Sequence, residues 1–352
     1  MINVGIVGAT GYTGVELIRL LSRHPKVNIR ILTSRSEAGR AVSDIFPSLY
    51  GVSDLVFSEP NDDTLASCDV VFFATPHGVA MKSAKYLLDH GVKIIDLAAD
   101  FRLQDLTAFS QWYGMEHECP DVLGQAVYGL PEVSREYIKD ADVIGNPGCY
   151  PTTVILGLKP VIEQQNQSQT PLIDKRIIID AKSGVSGAGR NAKMNLLFSE
   201  LSDNFSAYGV SGHRHLPEMQ QGVDVLLASK FDHNIRFVPH LVPMIRGMLS
   251  TIHLTLTDLG KAVDWQAVFE TAYRDEYFVD VLARGQFPDT RSVRASNRLK
   301  IAVHQDNTND TLTLVVVQDN LVKGAAGQAV QNMNILFALP ETLGLDMVPV
   351  VP

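Results

Sequence analysis

The sequence has 352 residues, of which 45% are hydrophobic and 20% charged. This composition supplies enough apolar material for covered sheets and excludes an intrinsically disordered chain. A formal net charge of −9 argues against a general nucleic-acid binder, which needs a surplus of lysine and arginine. No apolar run approaches the roughly 20 residues of a transmembrane helix, so no membrane protein is expected.

At this length two domains are expected, because domains usually run to roughly 100 to 200 residues. Cys68, Cys119 and Cys149 are an odd number of cysteines at unrelated spacings, which predicts free thiols in a reducing compartment. The first residues show no basic segment followed by an apolar one. We therefore expect no export signal and a cytoplasmic location.

In the first half, short apolar runs alternate with helical patterns. Strands are predicted at Val4–Val7, Ile29–Leu32, Val70–Ala74 and Lys93–Asp96, with helices at about Thr13–Ser22 and Val79–Leu88. Such alternation is typical of a parallel sheet that is covered on both faces. The first half is therefore predicted to be an α/β domain of the Rossmann type.

After about residue 150 the predicted elements become longer and richer in β-structure. Met248–Leu256, Lys300–His304 and Thr311–Val317 are predicted strands, and the polar cluster Asp306–Asp310 predicts a hairpin turn. This pattern indicates a second, α+β domain with a mixed, largely antiparallel sheet. Apolar residues recur along Ala325–Leu336, which predicts an amphipathic helix.

A glycine-rich segment follows the first predicted strand and opens the first predicted helix. Its candidate cofactor-binding residues are Gly8, Thr10, Gly11, Tyr12, Thr13 and Gly14. Glycine permits a tight turn, and the amino end of the helix offers N–H groups and partial positive charge to a pyrophosphate. The spacing G-x-x-G-x-x-G is a variant of the usual dinucleotide fingerprint, and its place at the first βα turn favours a nucleotide site over an empty turn.

The end of the second predicted strand bears on which dinucleotide binds. Enzymes that use NAD normally carry Asp or Glu about 20 residues after the glycines, where it bonds the ribose hydroxyl. This sequence has Ser34 and Arg35 there. A hydroxyl beside a guanidinium suits a 2′-phosphate, so we predict NADP(H); the alternative is that Arg35 is a solvated loop residue.

Cys149 is the candidate nucleophile. It follows a Pro-Gly turn and precedes Pro151, where a helix can start. A thiol at the amino end of a helix has its pKa lowered by the helix dipole, and the thiolate is the reactive form. For Cys68 and Cys119 we predict no chemical role, because a lone cysteine usually behaves as a small apolar residue.

Partners for Cys149 are expected in a segment that ends in Glu218, just before a helical pattern. One of its two histidines, His213 or His215, is predicted to hold the thiolate as an ion pair and to transfer protons. Arg214 and Glu218 are candidate substrate-binding residues. A zinc site is the alternative, but no fourth ligand is evident and alternate side chains of an extended loop point apart, so we predict no metal.

Two further segments follow predicted strands and contain small residues. The first is a loop that could surround an anionic group with backbone N–H groups, or could be a flexible connector. Its candidates are Ser183 and Gly184 for the cofactor and Lys182 and Arg190 for the substrate. In the second segment Asn320 precedes small residues that would admit a flat ring, and its amide is a candidate partner of a nicotinamide.

Taken together, these motifs resemble those of the N-acetyl-γ-glutamyl-phosphate reductases, in the shorter class of that family, over essentially the whole chain. The resemblance rests on Gly8–Gly14, Ala99–Arg102, Tyr128–Glu132, Pro147–Thr152, Ser183–Gly189, His213–His215 and Lys323–Ala329. In combination these segments are highly specific, and none of them departs from the family pattern.

The resemblance implies NADPH-dependent reductive dephosphorylation of N-acetyl-L-glutamyl 5-phosphate to N-acetyl-L-glutamate 5-semialdehyde, a step of arginine biosynthesis. It implies that Cys149 is the nucleophile and that a small acyl phosphate is the substrate. It further implies an NADP-binding domain of residues 1–148 and 324–352, and a catalytic and oligomerisation domain of residues 149–323. A homodimer or a homotetramer is expected.

Both lines of argument give one mechanistic hypothesis. The Cys149 thiolate attacks the acyl phosphate, the resulting thioester is reduced with NADPH, and one of the two histidines transfers protons while backbone N–H groups hold the oxyanion. Arg102, Arg190 and Arg214 are candidates for gripping the substrate carboxylate or phosphate, since a guanidinium makes two parallel bonds to either group. For Arg102 the alternative is a surface ion pair.

Two other classes of function stay open at this point. A related acyl-phosphate reductase, such as aspartate-semialdehyde dehydrogenase or a lysine-pathway enzyme with a carrier-bound substrate, would keep the cysteine chemistry and change the substrate. The acidic composition disfavours an acidic carrier. A non-catalytic NADP-binding regulator would keep the glycine segment and Arg35 but needs no reactive thiol, so Cys149 and the histidines distinguish the two classes.

Overall fold

The structure is a computed structural model that describes residues 1–168, 170–227, 232–306 and 308–350. The chain divides into two compact units: unit 1 comprises residues 1–148 and 325–347, and unit 2 comprises residues 149–324 and 348–350. The predicted domain boundaries differ from these units at two places. Gly324 belongs to unit 2, and residues 348–350 do so as well, where Val350 N donates to Arg294 O at 3.0 Å.

Unit 1 is built on a six-stranded sheet, in which the described strand pairings are all parallel. Its strands are β1 (Ile2–Val7), β2 (Val27–Thr33), β3 (Val70–Phe73), β4 (Lys93–Asp96), β5 (Val127–Tyr128) and β6 (Val143–Gly145). They lie in the order β2-β1-β3-β4-β6-β5. The predicted Rossmann-type parallel sheet is confirmed.

Helices accompany this sheet along the first part of the chain. They are α1 (Tyr12–Leu21), α2 (Val42–Ile45), α3 (Asp62–Leu65), α4 (Ala80–Asp89), α5 (Leu106–Tyr113), α6 (Pro120–Leu123) and α7 (Pro131–Ile138), with a 3-10 turn at Pro47–Leu49. Strand β3 reads Val-Val-Phe-Phe and is buried along its whole length. A continuous apolar run of this kind is what a strand covered on both faces requires.

Unit 2 begins with a long helix, and its described residues form four shorter ones. These helices are α8 (Cys149–Gln167), α9 (Phe198–Leu201), α10 (Leu216–Leu226), α11 (Asp258–Lys261) and α12 (Trp265–Ala272), with 3-10 turns at Val185–Ala188, Met194–Leu196 and Thr290–Val293. Helix α8 packs against α10. No helix in the described part of the chain is both long and apolar enough to cross a membrane.

The sheet of unit 2 is mixed, as predicted. Its strands are β7 (Ile173–Ser183), β8 (Ser206–Ala207), β9 (Asn234–Leu241), β10 (Met248–Leu256), β11 (Val279–Val281), β12 (Leu299–Asp306) and β13 (Thr311–Gln318), in the order β11-β12-β13-β10-β7-β9-β8. Among the described pairings, only β11–β12 and β7–β9 are parallel. The predicted hairpin joins β12 to β13, where Asp306 pairs with Thr311; Asn307, within that predicted turn, lies outside the described residues.

The last helix, α13 (Gly327–Leu336), follows a π-helical turn at Val322–Ala326 and belongs to unit 1. The prediction that it is amphipathic is wrong, because all ten of its residues are buried. Its polar side chains bond to carbonyl groups of the unit's interior: Asn332 Nδ2 donates to Gly129 O at 2.8 Å, and Asn334 Nδ2 donates to Leu343 O at 2.9 Å. These bonds offset the burial of the two amide nitrogens, whereas Asn332 Oδ1 is buried with no hydrogen-bond partner in the described part of the chain.

Candidate active site

The glycine segment of unit 1 joins β1 to α1 in a turn that needs glycine at two positions. Gly8 has a φ of +78°, and a Cβ on it would lie 2.5 Å from Ala74 O. A Cβ on Gly14 would lie 2.6 Å from the Cα of Ala9. Gly11 caps α1 without a side-chain hydrogen bond, and the first turn, which starts at Tyr12, has no acidic residue. This uncapped amino end fits the pyrophosphate of a dinucleotide.

The end of β2 lies beside this turn. Thr10 Oγ1 and Ser34 Oγ are 3.2 Å apart, and Ser34 is buried. Arg35 is exposed, and its side chain makes no hydrogen bond or ion pair within the described part of the chain. A guanidinium without a protein partner, next to a hydroxyl, fits the 2′-phosphate that distinguishes NADP from NAD.

Cys149 is the first residue of α8 and is the thiol best placed to react. It is partly exposed, whereas Cys68 and Cys119 are buried. Burial raises the pKa of the Cys68 thiol to about 11 and also raises the pKa of Cys119. Since the thiolate is the nucleophile, these two cysteines are held in the inert form near neutral pH.

Two residues of unit 2, Gln318 and Gly324, pack against Cys149. Gln318, which is fully buried at the end of β13, donates from Nε2 to Cys149 O at 2.7 Å. A Cβ on Gly324 would lie 2.9 Å from both the Cys149 Cβ and Gln318 Nε2. The small residues after Asn320 were expected to leave room for a flat ring. In unit 2, the absence of a side chain at Gly324 instead leaves room for Cys149.

The two predicted histidines lie beside Tyr150, the residue after Cys149. The Tyr150 ring centroid is 5.8 Å from that of His213 and 6.1 Å from that of His215. The two imidazole centroids are only 4.9 Å apart, so the expectation that these side chains point apart is wrong. The cause is a turn in the backbone, in which Leu216 N donates to His213 O at 2.8 Å.

His213 is neutral in this environment. Burial, followed by the charge of Arg214, lowers the pKa of His213 to about 4. The backbone N–H of His215 donates to His213 Nδ1 at 3.1 Å, so the neutral ring carries its proton on Nε2. A neutral imidazole does not form the ion pair with a thiolate that the sequence predicted for one of the two histidines, which leaves His215 as the candidate.

Two tyrosines belong to the same cluster and were not predicted. The hydroxyl oxygens of Tyr150 and Tyr208 are 3.0 Å apart. Burial raises the pKa of both phenols, that of Tyr208 to about 12, and the charge of Cys149 contributes to each increase in pKa. The charge of Arg214 opposes the increase at Tyr208, which brings this arginine into the cluster. In the sequence the only signal was that Tyr150 follows the cysteine directly.

In the loop after β7, which was predicted to surround an anion with backbone N–H groups, three of these groups are bonded within unit 2. Its N–H groups donate to carbonyls of unit 2: Gly184 N to Gly247 O at 2.9 Å, Val185 N to Met244 O at 2.9 Å and Ser186 N to Ile245 O at 3.1 Å. A Cβ on Gly184 would lie 2.7 Å from Ile245 O, so glycine permits two chain segments to pack closely. Ser183 is buried and its Oγ donates to Gly184 O at 3.0 Å.

The other predicted substrate-binding residues of unit 2 differ in their surroundings. Lys182 Nζ forms an ion pair with Asp180 Oδ1 at 3.2 Å. Arg190 is exposed at the end of the loop after β7. Glu218 is fully buried in the first turn of α10. Of these three, Arg190 is the residue that a small anion in solution reaches most directly.

Arg102 is buried in unit 1, so the alternative of a surface ion pair is wrong. Its Nε donates to Asn146 O at 2.6 Å and its Nη2 to Leu97 O at 2.7 Å. Burial and the charge of Asp100 raise the pKa of Asp96 to about 7, and Arg102 opposes that increase. One edge of the guanidinium is therefore occupied by carbonyl groups and does not make two parallel bonds to a substrate.

Both polar atoms of the Asn320 side-chain amide form hydrogen bonds within unit 2. Its Oδ1 accepts from Gly247 N at 2.9 Å, and its Nδ2 donates to Ser186 Oγ at 2.9 Å. These bonds join the loop after β7 to the segment after β13, which gives the amide a structural role in unit 2. Among the described residues, no group of three or more His, Cys, Asp and Glu side chains is arranged to hold a metal ion.

Comparison with known families identifies both parts of the chain. Residues 3–141 match the semialdehyde dehydrogenase NAD-binding domain, and residues 149–320 match the semialdehyde dehydrogenase dimerisation domain. Proteins named N-acetyl-gamma-glutamyl-phosphate reductase are similar over 100% of both chains, with 69% identity in Psychrobacter sp. (strain PRwf-1), 60% in Acinetobacter baylyi and 57% in Polynucleobacter asymbioticus.

Solved structures share the fold at low sequence identity. Aspartate semialdehyde dehydrogenase II of Vibrio cholerae, complexed with ASA, gives a TM-score of 0.72 at 19% identity, covering 96% of this chain and 98% of that one. Aspartate semialdehyde dehydrogenase of Candida albicans, solved with NADP, gives 0.70 at 20% identity, covering 96% and 99%. At these identities the likeness establishes the fold alone.

Proposed function

The chain belongs to the N-acetyl-γ-glutamyl-phosphate reductases, as the full-length relatives show, and we propose that it catalyses the reaction of that family. In this reaction N-acetyl-L-glutamyl 5-phosphate is reduced with NADPH to N-acetyl-L-glutamate 5-semialdehyde and phosphate, a step of arginine biosynthesis. The observation that carries the proposal is Cys149, the only partly exposed thiol of the three, at the first position of α8. A nucleophile there can take the acyl group from phosphate before it is reduced.

The first step is acyl transfer to Cys149. The thiolate attacks the acyl carbon, the bond from that carbon to the phosphate oxygen breaks, and phosphate leaves with the electron pair. A thioester then joins the acyl group to Sγ. Gln318 and Gly324 hold the backbone at Cys149, and N–H groups at the amino end of α8 stabilise the oxyanion.

The second step is reduction of the thioester, for which bound NADPH supplies the hydride. The thiohemiacetal that forms on Sγ collapses, the carbon–sulfur bond breaks, and the aldehyde leaves while the thiolate of Cys149 is restored. We assign proton transfer to His215, which takes the thiol proton and gives it to the departing phosphate. His213 is less suited to this role, because a ring with a pKa of about 4 holds no transferable second proton near neutral pH.

Arg214 is our first candidate for gripping the substrate carboxylate or phosphate. Its charge acts on His213 and Tyr208, which belong to the cluster beside Cys149. Arg190 is a second candidate because it is exposed. The remaining candidates of unit 2 are weaker, since Lys182 is paired with Asp180 and Glu218 is fully buried.

We assign cofactor binding to unit 1. The glycine segment would hold the pyrophosphate at the amino end of α1 through Gly8, Thr10, Gly11, Tyr12, Thr13 and Gly14. Ser34 and Arg35 would bind the 2′-phosphate, which is the reason for proposing NADP(H). Ser183, Gly184 and Asn320 are weaker candidates, because their polar groups bond within unit 2.

We also propose that residues 149–323 join copies of the chain into a homodimer or a homotetramer. The match of residues 149–320 to a dimerisation domain supports this assignment. A cytoplasmic location is proposed from the three free cysteines, which suit a reducing compartment.

The test is the reverse reaction, followed as reduction of NADP by N-acetylglutamate semialdehyde in the presence and absence of phosphate. Wild type is compared with Cys149→Ala, and aspartate semialdehyde is the competing substrate. Cys119→Ala is the matched control, because that thiol is buried and lies in unit 1. We expect turnover that requires phosphate and Cys149 and prefers the acetylated aldehyde.

Other outcomes would replace the proposal in defined ways. Turnover with aspartate semialdehyde alone would keep the cysteine chemistry and change the substrate. Turnover by Cys149→Ala at the wild-type rate would remove the thioester mechanism. Absence of activity with both aldehydes would favour a carrier-bound substrate or a regulatory NADP-binding protein.

A further inference from the structure

The segment that leads into Cys149 is anchored through a single buried asparagine, Asn146. The side chain of Asn146 is fully buried, and all four of its polar atoms have partners in unit 1. The backbone N of Asn146 donates to Asp96 O at 2.8 Å, and its O accepts from Arg102 Nε at 2.6 Å. In the side chain, Nδ2 donates to Ala325 O at 3.2 Å, and Oδ1 accepts from Asn332 Nδ2 at 3.1 Å. Two stretches of unit 1, residues 96–102 and 325–332, therefore meet at this residue.

Asn332 is the side chain that reaches Asn146 from the terminal helix. It lies on α13, is fully buried, and uses Nδ2 to donate both to Asn146 Oδ1 at 3.1 Å and to Gly129 O at 2.8 Å. A Cβ on Gly129 would lie 2.5 Å from Asn332 Nδ2, so glycine is needed there for the amide to fit. The Tyr128–Glu132 motif, which the proposed reaction does not use, thereby acquires a role.

The chain between Asn146 and Cys149 has little freedom to absorb a displacement. Pro147 has its φ fixed by its ring and restricts the backbone of the residue before it. A Cβ on Gly145 would overlap Phe101 O, so the preceding residue is also packed closely. Only Gly148 then separates this anchored segment from the thiol.

We propose that Asn332, acting through Asn146, is a positioning residue for Cys149. The asparagine pair holds the segment before α8 in the place where the thiol can attack the acyl carbon. This inference rests on the proposed role of Cys149 as the nucleophile. Neither asparagine touches the substrate, so the pair acts on the rate of the chemical step and on thiol reactivity rather than on cofactor binding.

The test compares Asn332→Ala with Asn334→Ala in the full chain. Asn334 is the control: it lies on the same helix, is fully buried, its Nδ2 donates to Glu341 O at 3.1 Å and Leu343 O at 2.9 Å, and its Oδ1 accepts from His24 Nε2 at 3.0 Å. Each variant is measured for thermal stability, for kcat and the KM of NADPH, and for the rate at which iodoacetamide alkylates Cys149 across a range of pH. Alkylation is read separately for each cysteine by peptide mass spectrometry.

We expect Asn334→Ala to lose at least as much thermal stability as Asn332→Ala, since it loses three hydrogen bonds and Asn332→Ala loses two. Asn332→Ala is expected to lower kcat about 10- to 100-fold, because a small misplacement of a reacting group has an effect of that size. The KM of NADPH should stay within about twofold, and alkylation of Cys149 should change in rate and pH profile only in Asn332→Ala. Equal kcat and equal Cys149 alkylation in the two variants would overturn the inference.

The pair is tested as a unit with Asn146→Ala and the double variant. If Asn332 acts through Asn146, the double variant loses about as much kcat as Asn146→Ala alone. Losses that multiply would show independent action and would also overturn the inference. Should Asn332→Ala not fold, Asn332→Ser and Asn334→Ser give the same comparison. The alkylation readout does not depend on catalysis, so a failure of the proposed reaction, shown by an active Cys149→Ala, is distinguishable from a failure of this inference.

Discussion

The glycine-rich segments after β1 and after β7 look alike in the sequence and do different things in the structure. After β1, the glycines lead into a helix whose amino end has no side-chain cap. After β7, the N–H groups of Gly184, Val185 and Ser186 donate to carbonyls of unit 2. The first segment leads into a helix whose first N–H groups can bind a ligand, whereas the three N–H groups named in the second segment are already bonded.

The difference shows that glycine content alone does not predict an anion site. What matters is whether the following residues form a helix long enough to leave its first N–H groups without backbone partners. Helix α1 has ten residues, whereas the turn at Val185–Ala188 has four. Both segments need glycine for close packing, but only the first is built around an open helix end.

The largest effect is expected from Gly8→Ala in the first segment. Gly8 combines a φ of +78° with a Cβ position 2.5 Å from Ala74 O, so both strain and overlap oppose alanine. We expect a loss of about 3 kcal/mol or more in the free energy of unfolding. Urea denaturation measures it, with Gly39→Ala as the control: Gly39 has a φ of +85° but nothing within 4 Å. Equal losses in the two variants would contradict this account of Gly8.

In the second segment, Gly184→Ala should destabilise the protein without weakening cofactor binding. The Cβ would lie 2.7 Å from Ile245 O, while the φ of −67° is unstrained, so we expect a loss of about 2 kcal/mol. Gly124→Ala is the control, because Gly124 has an unstrained φ of −62° and the nearest atoms to its Cβ position lie at 3.8 Å. Thermal denaturation and NADPH titration are the measurements. A loss of NADPH affinity larger than twofold in the folded variant would break the distinction between the segments.

Arg35→Ser tests whether unit 1 binds the 2′-phosphate of NADPH. Loss of one charge-assisted hydrogen bond to a phosphate should raise the KM of NADPH about 10- to 100-fold and leave the KM of NADH nearly unchanged. Arg40→Ser is the control, because that guanidinium is bonded to Glu37 at 2.8 Å. Steady-state kinetics with both cofactors decide the matter. An equal change for NADPH and NADH would mean that Arg35 does not bind the 2′-phosphate.

The smallest effect is expected at His213 and concerns how far burial in unit 2 lowers the pKa of its imidazole. Its folded pKa of about 4 lies below its ordinary value of 6.5, so the unfolded chain binds a proton first as the pH falls. The stabilising contribution is present above pH 6.5 and is lost between there and pH 4. Allowing for partial exposure, His213→Gln should remove about 1 kcal/mol of the stability loss between pH 7.5 and 5. Urea denaturation at the two pH values checks this, with the exposed His253→Gln as control; identical pH dependence in all three proteins would contradict it.

Much of the fold could be predicted because local pattern and burial agree. Strand β10 occupies Met248–Leu256 as predicted, since buried and more exposed residues alternate along it and its exposed positions are polar. Helix α13 was predicted in place but misjudged as amphipathic. Its buried Asn332 donates to Gly129 O and its buried Asn334 accepts from His24, and partners so far away in the sequence leave no periodic signal.

The candidate site was predictable only in part, for the same reason. Cys149 stood out through its own turn and helix start, which are local features. The pairing of Tyr150 with Tyr208 and the buried bonds of Arg102 depend on tertiary contacts, so nothing near them in the sequence indicated their surroundings. The low pKa of His213 likewise follows from burial, which the polar composition of its segment did not suggest.

The central claim is that Cys149 carries the substrate as a thioester, and trapping that adduct tests it most directly. The protein is mixed with N-acetyl-L-glutamyl 5-phosphate without NADPH, quenched in acid, and analysed by peptide mass spectrometry. We predict an N-acetylglutamyl adduct on Cys149 that hydroxylamine removes, that disappears when NADPH is added before the quench, and that is absent from Cys149→Ala. An adduct on another residue, or full turnover by a protein that never carries one on Cys149, would contradict the claim.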